Sequence, residues 1–406
     1  MKPNTLIATV MTRDYPTLLF RLLLALCLTN CGGGSGAGGD ASTVGAVPSS
    51  TTTTNQSQTT LTETTRSWTL DRTSPETIGL ETSQVNAVLS HIFTDPAVQS
   101  VMLVKDGYII GERFSETSSA ESLGTSWSVA KSFYGAAIGI AIDQGWIQGP
   151  EQKASEFLTE WQDTNKADIT IGQLLSMQSG ITDTVNLYWA EDQTTFAINY
   201  PKTQEAGSRF FYSNPTSQLF EPILRRATGL DAHAFLRQNL LTPIGIETES
   251  IGMWLDRTGN HPLTYMGLDM PPEAFARFGL LMARGGLWAG RQILSAAFVS
   301  ESLTTKSPFY GYQWWILNQS YFGQPVPATL AAALGLDGQK IYVWPEADLV
   351  LVVLTDYAHS ANQGYVLSDL NFPNTCGARG SCPGSTTDEV PSFNEFELIR
   401  LLNELH

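Results

Sequence analysis

Residues 128–145 read SVAKSFYGAAIGIAIDQG. Ser128 and Lys131 open a run in which Val129, Ala130, Phe133, Ala136, Ala137, Ile138, Ile140 and Ala141 are apolar on nearly every side. A helix that is hydrophobic all round belongs in a core, so the pattern predicts a buried helix from Ser128 to Gln144 with Ser128 in its first turn. Positions i and i+3 stand one above the other on a helix, which brings the Lys131 amine within reach of the Ser128 hydroxyl. On a surface helix the same pair would be a capping serine and a solvated lysine. On a buried one, a lysine has to be paired or functional. A hydroxyl becomes a nucleophile once a nearby base takes its proton, and a desolvated lysine of lowered pKa is such a base. The unpaired N–H groups of a helix N-terminus also favour negative charge developing there.

Further along, residues 207–220 read GSRFFYSNPTSQLF and contain Tyr212-Ser213-Asn214. A phenol beside a lysine ammonium can pass a proton between nucleophile and leaving group. The Asn214 amide can donate to a substrate carbonyl and accept from the lysine. Around this middle, VMLVKDGYIIGERF (101–114) places Asp106-Gly107 between two apolar runs, the signature of a type I′ hairpin. QKIYVWPEADLVLVVLTDY (339–357) repeats the pattern about a turn at residues 345–348. From Phe393 to Leu405, Phe396, Leu398, Ile399, Leu401, Leu402 and Leu405 fit one face of a helix. Helical patterns fill the interval: Ser128 to Gln144, Ile171 to Gln178, Thr216 to Ala227, Ala232 to Asn239 and Pro272 to Ala283. The expectation is an α+β domain over 68–406, its antiparallel sheet assembled from both chain ends and flanked by helices, with a mostly helical insert.

Composition agrees with one large core. Of 406 residues 42% are apolar and 15% charged, and 23 Lys plus Arg face 39 Asp plus Glu, a formal charge of −16. A nucleic-acid partner requires a basic face, and no run of Lys or Arg here forms one. No Gly-x-Ser-x-Gly elbow or His-Glu-x-x-His pair occurs, and the five histidines (91, 233, 261, 359, 406) are scattered. Neither a metal nor another cofactor is expected.

The four cysteines fall into two pairs. Lys2, Arg13 and Arg21 precede a short apolar run, Leu22 to Leu28, which is built like a cleavable signal over 1–30. Leu28-Thr29-Asn30-Cys31 resembles a bacterial lipobox, with Asn30 where Gly, Ala or Ser is usual, and points to lipidation of Cys31. Residues 31–67 are rich in Gly, Ser and Thr, a tether with a reach on the order of 30 to 35 Å. Gly32 in place of Asp favours, by resemblance to lipoprotein sorting, an outer-membrane anchor facing the periplasm or the outside. Cys376 and Cys382 enclose a short Gly-containing loop without histidine neighbours, which predicts a disulfide in an exported protein.

Taken together, Ser128-Val-Ala-Lys131, ITIGQLLSMQSGI (169–181), Gly207 to Asn214, AFARFGLLMARGGLW (274–288), YGYQWW (310–315) and Gly335 to Tyr342 resemble the serine beta-lactamase and penicillin-binding superfamily. The likeness is to its class C-like branch, with carboxylesterases, D-aminopeptidases and 6-aminohexanoate-dimer hydrolases. It implies a beta-lactamase/transpeptidase-like fold and cleavage of a small ester or amide through an acyl-enzyme. Ser128 would be the nucleophile, Lys131 its base, Tyr212 the acid/base and Asn214 a positioning residue, with an oxyanion hole from the N–H groups of Ser128 and Gln339. A beta-lactamase or D,D-carboxypeptidase is the alternative, and a non-catalytic surface binding lipoprotein a further one. One block departs from the pattern. Where relatives carry Lys-Thr-Gly on a strand edge, this chain has Leu336-Asp337-Gly338. Two carboxylates about 4 Å apart repel by about 4 kcal/mol at an effective dielectric near 20, so Asp337 disfavours an acidic substrate and suits one bearing an ammonium group. Strand alternation places Lys340 on the face of Gly338, a candidate replacement for the missing cation.

Overall fold

Leu349 to Thr355 is a run of seven apolar or β-branched residues, too hydrophobic for a strand with one wet face, and every one of them is buried. In the computed structural model, which describes residues 67–355 and 393–406, this run is the third strand of a six-stranded sheet. The expected signal and nearly all of the expected tether, with Cys31, His359, Cys376 and Cys382, lie outside the described residues. In chain order the strands are β1 (Val98–Lys105), β2 (Tyr108–Phe114), β3 (Gly124–Thr125), β4 (Gly252–Met253), β5 (Leu268–Met270), β6 (Leu287–Trp288), β7 (Arg291–Gln292), β8 (Trp315–Leu317), β9 (Leu330–Leu334), β10 (Lys340–Trp344) and β11 (Leu349–Thr355). The main sheet runs β2-β1-β11-β10-β9-β8, each neighbouring pair antiparallel. Both chain ends therefore build one sheet, as the sequence predicts. Strands β8 and β9 were hidden, the first being only three residues long and the second alanine-rich.

Both expected hairpins are present. Asp106 and Gly107 take φ values of 52° and 80°, the left-handed pair that a type I′ turn requires. Gly107 has a second reason to be glycine, because a Cβ there would lie 1.9 Å from the Ser67 carbonyl oxygen. The second hairpin turns through Pro345–Ala347 and Asp348.

The period of two along β11 divides the core. Val350, Val352 and Leu354 face the helices Ala130–Asp143 and Pro272–Ala283. Leu349, Leu351 and Val353 face the helices Thr82–Ile92 and Glu395–Asn403. Each such side chain contributes about 1.5–3 kcal/mol by leaving water, so the sheet is held from both faces. Between β2 and β8 lies the insert, mostly helical, with a small sheet β3-β5-β4. Three expected helices are shorter or divided, Ala232 to Asn239 among them, which is α-helical over Ala232–Leu236 and continues as a π-helix over Arg237–Leu241. Ile171–Leu175 stops three residues early, and Thr216 to Ala227 resolves into Asn214–Gln218 and Phe220–Thr228.

The third-motif triplet differs from expectation. Leu336–Gly338 is a 3-10 turn between β9 and β10, and the strand begins only at Lys340. Lys340 does not refill the lost cation: its Nζ donates to Glu395 Oε1 at 3.0 Å and lies 4.6 Å from the Phe393 ring centre, on the side of the C-terminal helix. A lysine on a strand whose far face is covered by an acidic helix end finds its counter-ion there, which alternation counted along one strand does not reveal.

Candidate active site

Ser128 stands in a 3-10 turn, Trp127–Val129, which runs directly into the helix Ala130–Asp143. It is thus one step ahead of the α-helical turn expected for it. The turn is pinned from behind, since Ser126 N–H donates to the Leu268 carbonyl and Leu268 N–H donates to Ser126 Oγ, both at 2.8 Å. Trp127 carries φ of +43°, a costly conformation for a bulky residue. It persists because the indole is buried, edge-on to Trp254 at 5.7 Å in a cluster with Leu187, Tyr265 and Met266. Trp254 is fixed in turn by its Nε1–H donating to Asp269 Oδ2 at 2.8 Å. Asp269 also accepts from the Thr125 hydroxyl, and burial raises its carboxyl to about 7.

Lys131 is 1% exposed. Its Nζ donates to Ser128 Oγ and to the Tyr265 carbonyl, each at 2.8 Å. Burial lowers this amine from 10.5 to about 7, against the opposing pull of the Asp183 charge. With the amine neutral, the same 2.8 Å line lets the hydroxyl donate to nitrogen, which is the geometry of a base beside its nucleophile.

The second block docks beside them. Phe211 N–H donates to the Met177 carbonyl at 2.8 Å and Gly207 N–H to the Gln178 carbonyl at 2.7 Å, so residues 207–214 lie along 177–183. Tyr212 stacks on Trp315, ring centres 5.6 Å apart, and its own ring centre is 5.0 Å from Lys131 Nζ. The Ser213 hydroxyl caps the short helix Asn214–Gln218 by accepting from Thr216 N–H. Asn214 is 1% exposed. Its backbone N–H donates to Asp183 Oδ1 at 2.8 Å, and its Nδ2 to Asp183 Oδ2 at 3.3 Å and the Tyr188 hydroxyl at 3.1 Å. Both amide hydrogens are therefore spent inside the protein, and the expected donation to a substrate carbonyl is not available from this arrangement. Oδ1 is buried with no hydrogen-bond partner.

The turn Gly335–Gln339 closes the site. A Cβ on Gly335 would meet the Ser126 carbonyl oxygen at 2.4 Å, and Leu336 packs with the Trp127 cluster. The block that aligns with the third motif thus abuts the nucleophile turn. Gly338 has φ of 96°, the left-handed region that glycine adopts freely. The Asp337 side chain lies outside what is described. Gln339 is buried, and its side chain spends itself on Thr355, Nε2 donating to Oγ1 at 2.5 Å and Oε1 accepting from N–H at 3.1 Å. That fixes the start of β10 against the end of β11.

The structure brings Ser128, Lys131, Tyr212 and Asn214 together. Sequence reasoning missed Asp183, Tyr188 and Tyr265, which contact them. Asp183 stands two residues after the SGI of the matched block, between Thr182 and Thr184, and that position beside the block was the available signal. Among the described residues, ligating atoms of Asp192, Asp256 and His261 lie within 4.8 Å of one another. The two carboxylates already accept from the N–H groups of Thr195, Thr258 and Gln193, so the group ties loops together and its donor set is largely spent.

Residues 97–369 match the beta-lactamase family model. The 6-aminohexanoate-dimer hydrolase of Paenarthrobacter ureafaciens is 23% identical over 265 residues, covering 57% of this chain and 65% of the relative's length. Among solved structures, a family VIII carboxylesterase superposes with a TM-score of 0.55 at 16% identity, over 68% of this chain and 92% of the other. An octameric penicillin-binding protein homologue from Pyrococcus abyssi gives 0.54 at 18%, over 68% and 73%. With that match spanning more than half of the chain, and the fold shared with these structures, the chain belongs to the beta-lactamase family.

Proposed function

We propose that the protein is a serine hydrolase that cleaves an ester or amide bond through an acyl-enzyme on Ser128. The observation that carries this reading is a buried lysine at 2.8 Å from the serine hydroxyl, with burial lowering its amine to about 7. A neutral Lys131 takes the hydroxyl proton as Oγ bonds to the substrate carbonyl carbon. The oxyanion that forms is held by backbone N–H groups at the Ser128 turn and the start of β10. Tyr212 passes the proton to the departing alcohol or amine as the acyl–oxygen or acyl–nitrogen bond breaks, and water then releases the acid by the reverse use of the same groups. The names of the relatives, a 6-aminohexanoate-dimer hydrolase and a carboxylesterase, support amide and ester substrates in that order of similarity.

The test is labelling with a fluorophosphonate and turnover of p-nitrophenyl butyrate, nitrocefin and 6-aminohexanoate dimer in parallel. Labelling and turnover that disappear together in Ser128→Ala are expected. Labelling that survives the substitution overturns the assignment, and a chain that neither labels nor turns over any substrate is a binding protein.

A further inference from the structure

The hydrolytic site has an anionic support that none of its three chemical residues supplies. Asp183 sits in the loop after Ile181, and its two carboxylate oxygens take the backbone N–H and the side-chain Nδ2 of Asn214 at 2.8 and 3.3 Å. An ionised carboxylate only accepts. The amide edge that faces it must therefore be the NH2 edge, and Oδ1 must point away. The second Nδ2 hydrogen goes to Tyr188, whose ring is edge-on to Tyr265 at 5.8 Å, and the Tyr265 carbonyl accepts from Lys131. One carboxylate is thus tied through Asn214 and Tyr188 to the same residue that holds the base.

We propose that Asp183 is a positioning residue of the hydrolytic site, locking the Asn214 amide in one orientation and bringing a carboxylate into the hydrogen-bonded group beside Lys131. This deepens the hydrolase reading and rests on it. The titratable groups around Lys131 are Ser128 on its own turn, Tyr212 before the helix Asn214–Gln218, Tyr265 before β5, and Asp183. Tyr265 is held neutral, since burial pushes its hydroxyl well above its usual 10. Asp183 is the group whose charge acts on the amine, favouring the ammonium form and opposing the effect of burial. The lysine acts in reverse on Asp183, whose carboxyl is raised by burial while the Asn214 N–H and the Lys131 charge hold it down.

The sign of the effect follows. Removing the Asp183 charge removes a stabiliser of the ammonium, so the amine loses its proton at lower pH. The test is the pH dependence of kcat/KM for p-nitrophenyl butyrate in the wild type, Asp183→Asn and Asp183→Glu, with fluorophosphonate labelling rates as a parallel readout. The near-isosteric Asp183→Asn should move the acidic limb down by about one pH unit and lower kcat about tenfold through a loosened Asn214. Asp183→Glu, which restores the charge, should return the limb toward the wild-type position. A purely structural role would lower rates evenly, with the limb unmoved in both variants, and that result overturns the proposal. A wild-type chain that neither labels nor turns over overturns the hydrolase reading, and this inference with it. An active wild type with an unmoved limb overturns the inference alone.

Discussion

Burial of Lys131 has a thermodynamic cost, and Lys131→Met measures it. An amine displaced from 10.5 to about 7 by burial costs the folded state about 4 kcal/mol at pH 7, at about 1.4 kcal/mol for each pH unit. Methionine fills nearly the same volume without a charge. Against this, the substitution leaves the Tyr265 carbonyl without the donor that now stands at 2.8 Å, a loss of about 1–3 kcal/mol. The balance is a gain of about 1–3 kcal/mol at pH 7 in a variant with no hydrolysis. The pH dependence separates this from a packing effect. A cation whose folded pKa is depressed carries its full cost below that pKa, and the cost fades as pH rises to the unfolded value. Near pH 9.5 it has shrunk to about 1–1.5 kcal/mol, and the same substitution becomes neutral or destabilising. Urea or thermal unfolding of both proteins at the two pH values, with fluorophosphonate labelling as the check on activity, makes the comparison. A stability difference that is the same at pH 7 and near pH 9.5 refutes the reasoning, because the lysine would then be titrating alike in the folded and unfolded chains.

Tyr212→Phe keeps the ring that stacks on Trp315 at 5.6 Å and removes the acid; kcat for an amide is expected to fall about 10²–10⁴-fold with little change in melting temperature. Gly335→Ala forces a methyl against the Ser126 carbonyl at 2.4 Å, so it should cost about 1–3 kcal/mol in unfolding and reduce Ser128 labelling more than a distant variant of equal stability. Glu395→Gln removes the negative charge that pairs with Lys340 and turns the charge-assisted bond from the Tyr342 hydroxyl, now 2.6 Å, into a neutral one. It should cost about 1.5–3 kcal/mol while leaving the pH profile of turnover in place, since Lys340 pairs with Glu395 of the C-terminal helix and not with Ser128 or Lys131.

What could be read beforehand was whatever a local pattern records. The Asp106-Gly107 turn, the helix Pro272–Ala283 and the i, i+3 relation of Ser128 and Lys131 depend on neighbours in the chain, and each is where the pattern puts it. The union of both chain ends in one sheet was legible because two apolar hairpins need a common partner. Side-chain commitments across the fold were not legible. Asn214 donates to Asp183, 31 residues away, and Lys340 to Glu395, 55 residues away. No period or spacing records such pairs. The weak strands β8 and β9 escaped for a related reason, since an alanine-rich β9 is specified by the β10 edge it pairs with, and a three-residue β8 by the β9 edge, rather than by their own propensity.

Lys340 also bears on substrate choice. By the family resemblance, a third-motif lysine would help to hold a substrate carboxylate; here Leu336 takes that place and packs toward Trp127, and the next lysine along is turned to Glu395. To recruit Lys340 for an anionic substrate, the protein would have to break a pair whose side chains are 13% and 16% exposed and leave Glu395 uncompensated beside Tyr342. Partly buried pairs of this kind resist such exchange. The third-motif position therefore offers a carboxylate-bearing substrate nothing in place of the lost cation, whereas a neutral ester or amide gives up nothing there. The expected order of kcat/KM is neutral p-nitrophenyl ester well above nitrocefin, and Leu336→Lys, which returns a cation to the motif, should narrow the gap mainly through KM for nitrocefin. An unchanged ratio in that variant would place the discrimination elsewhere in the cleft.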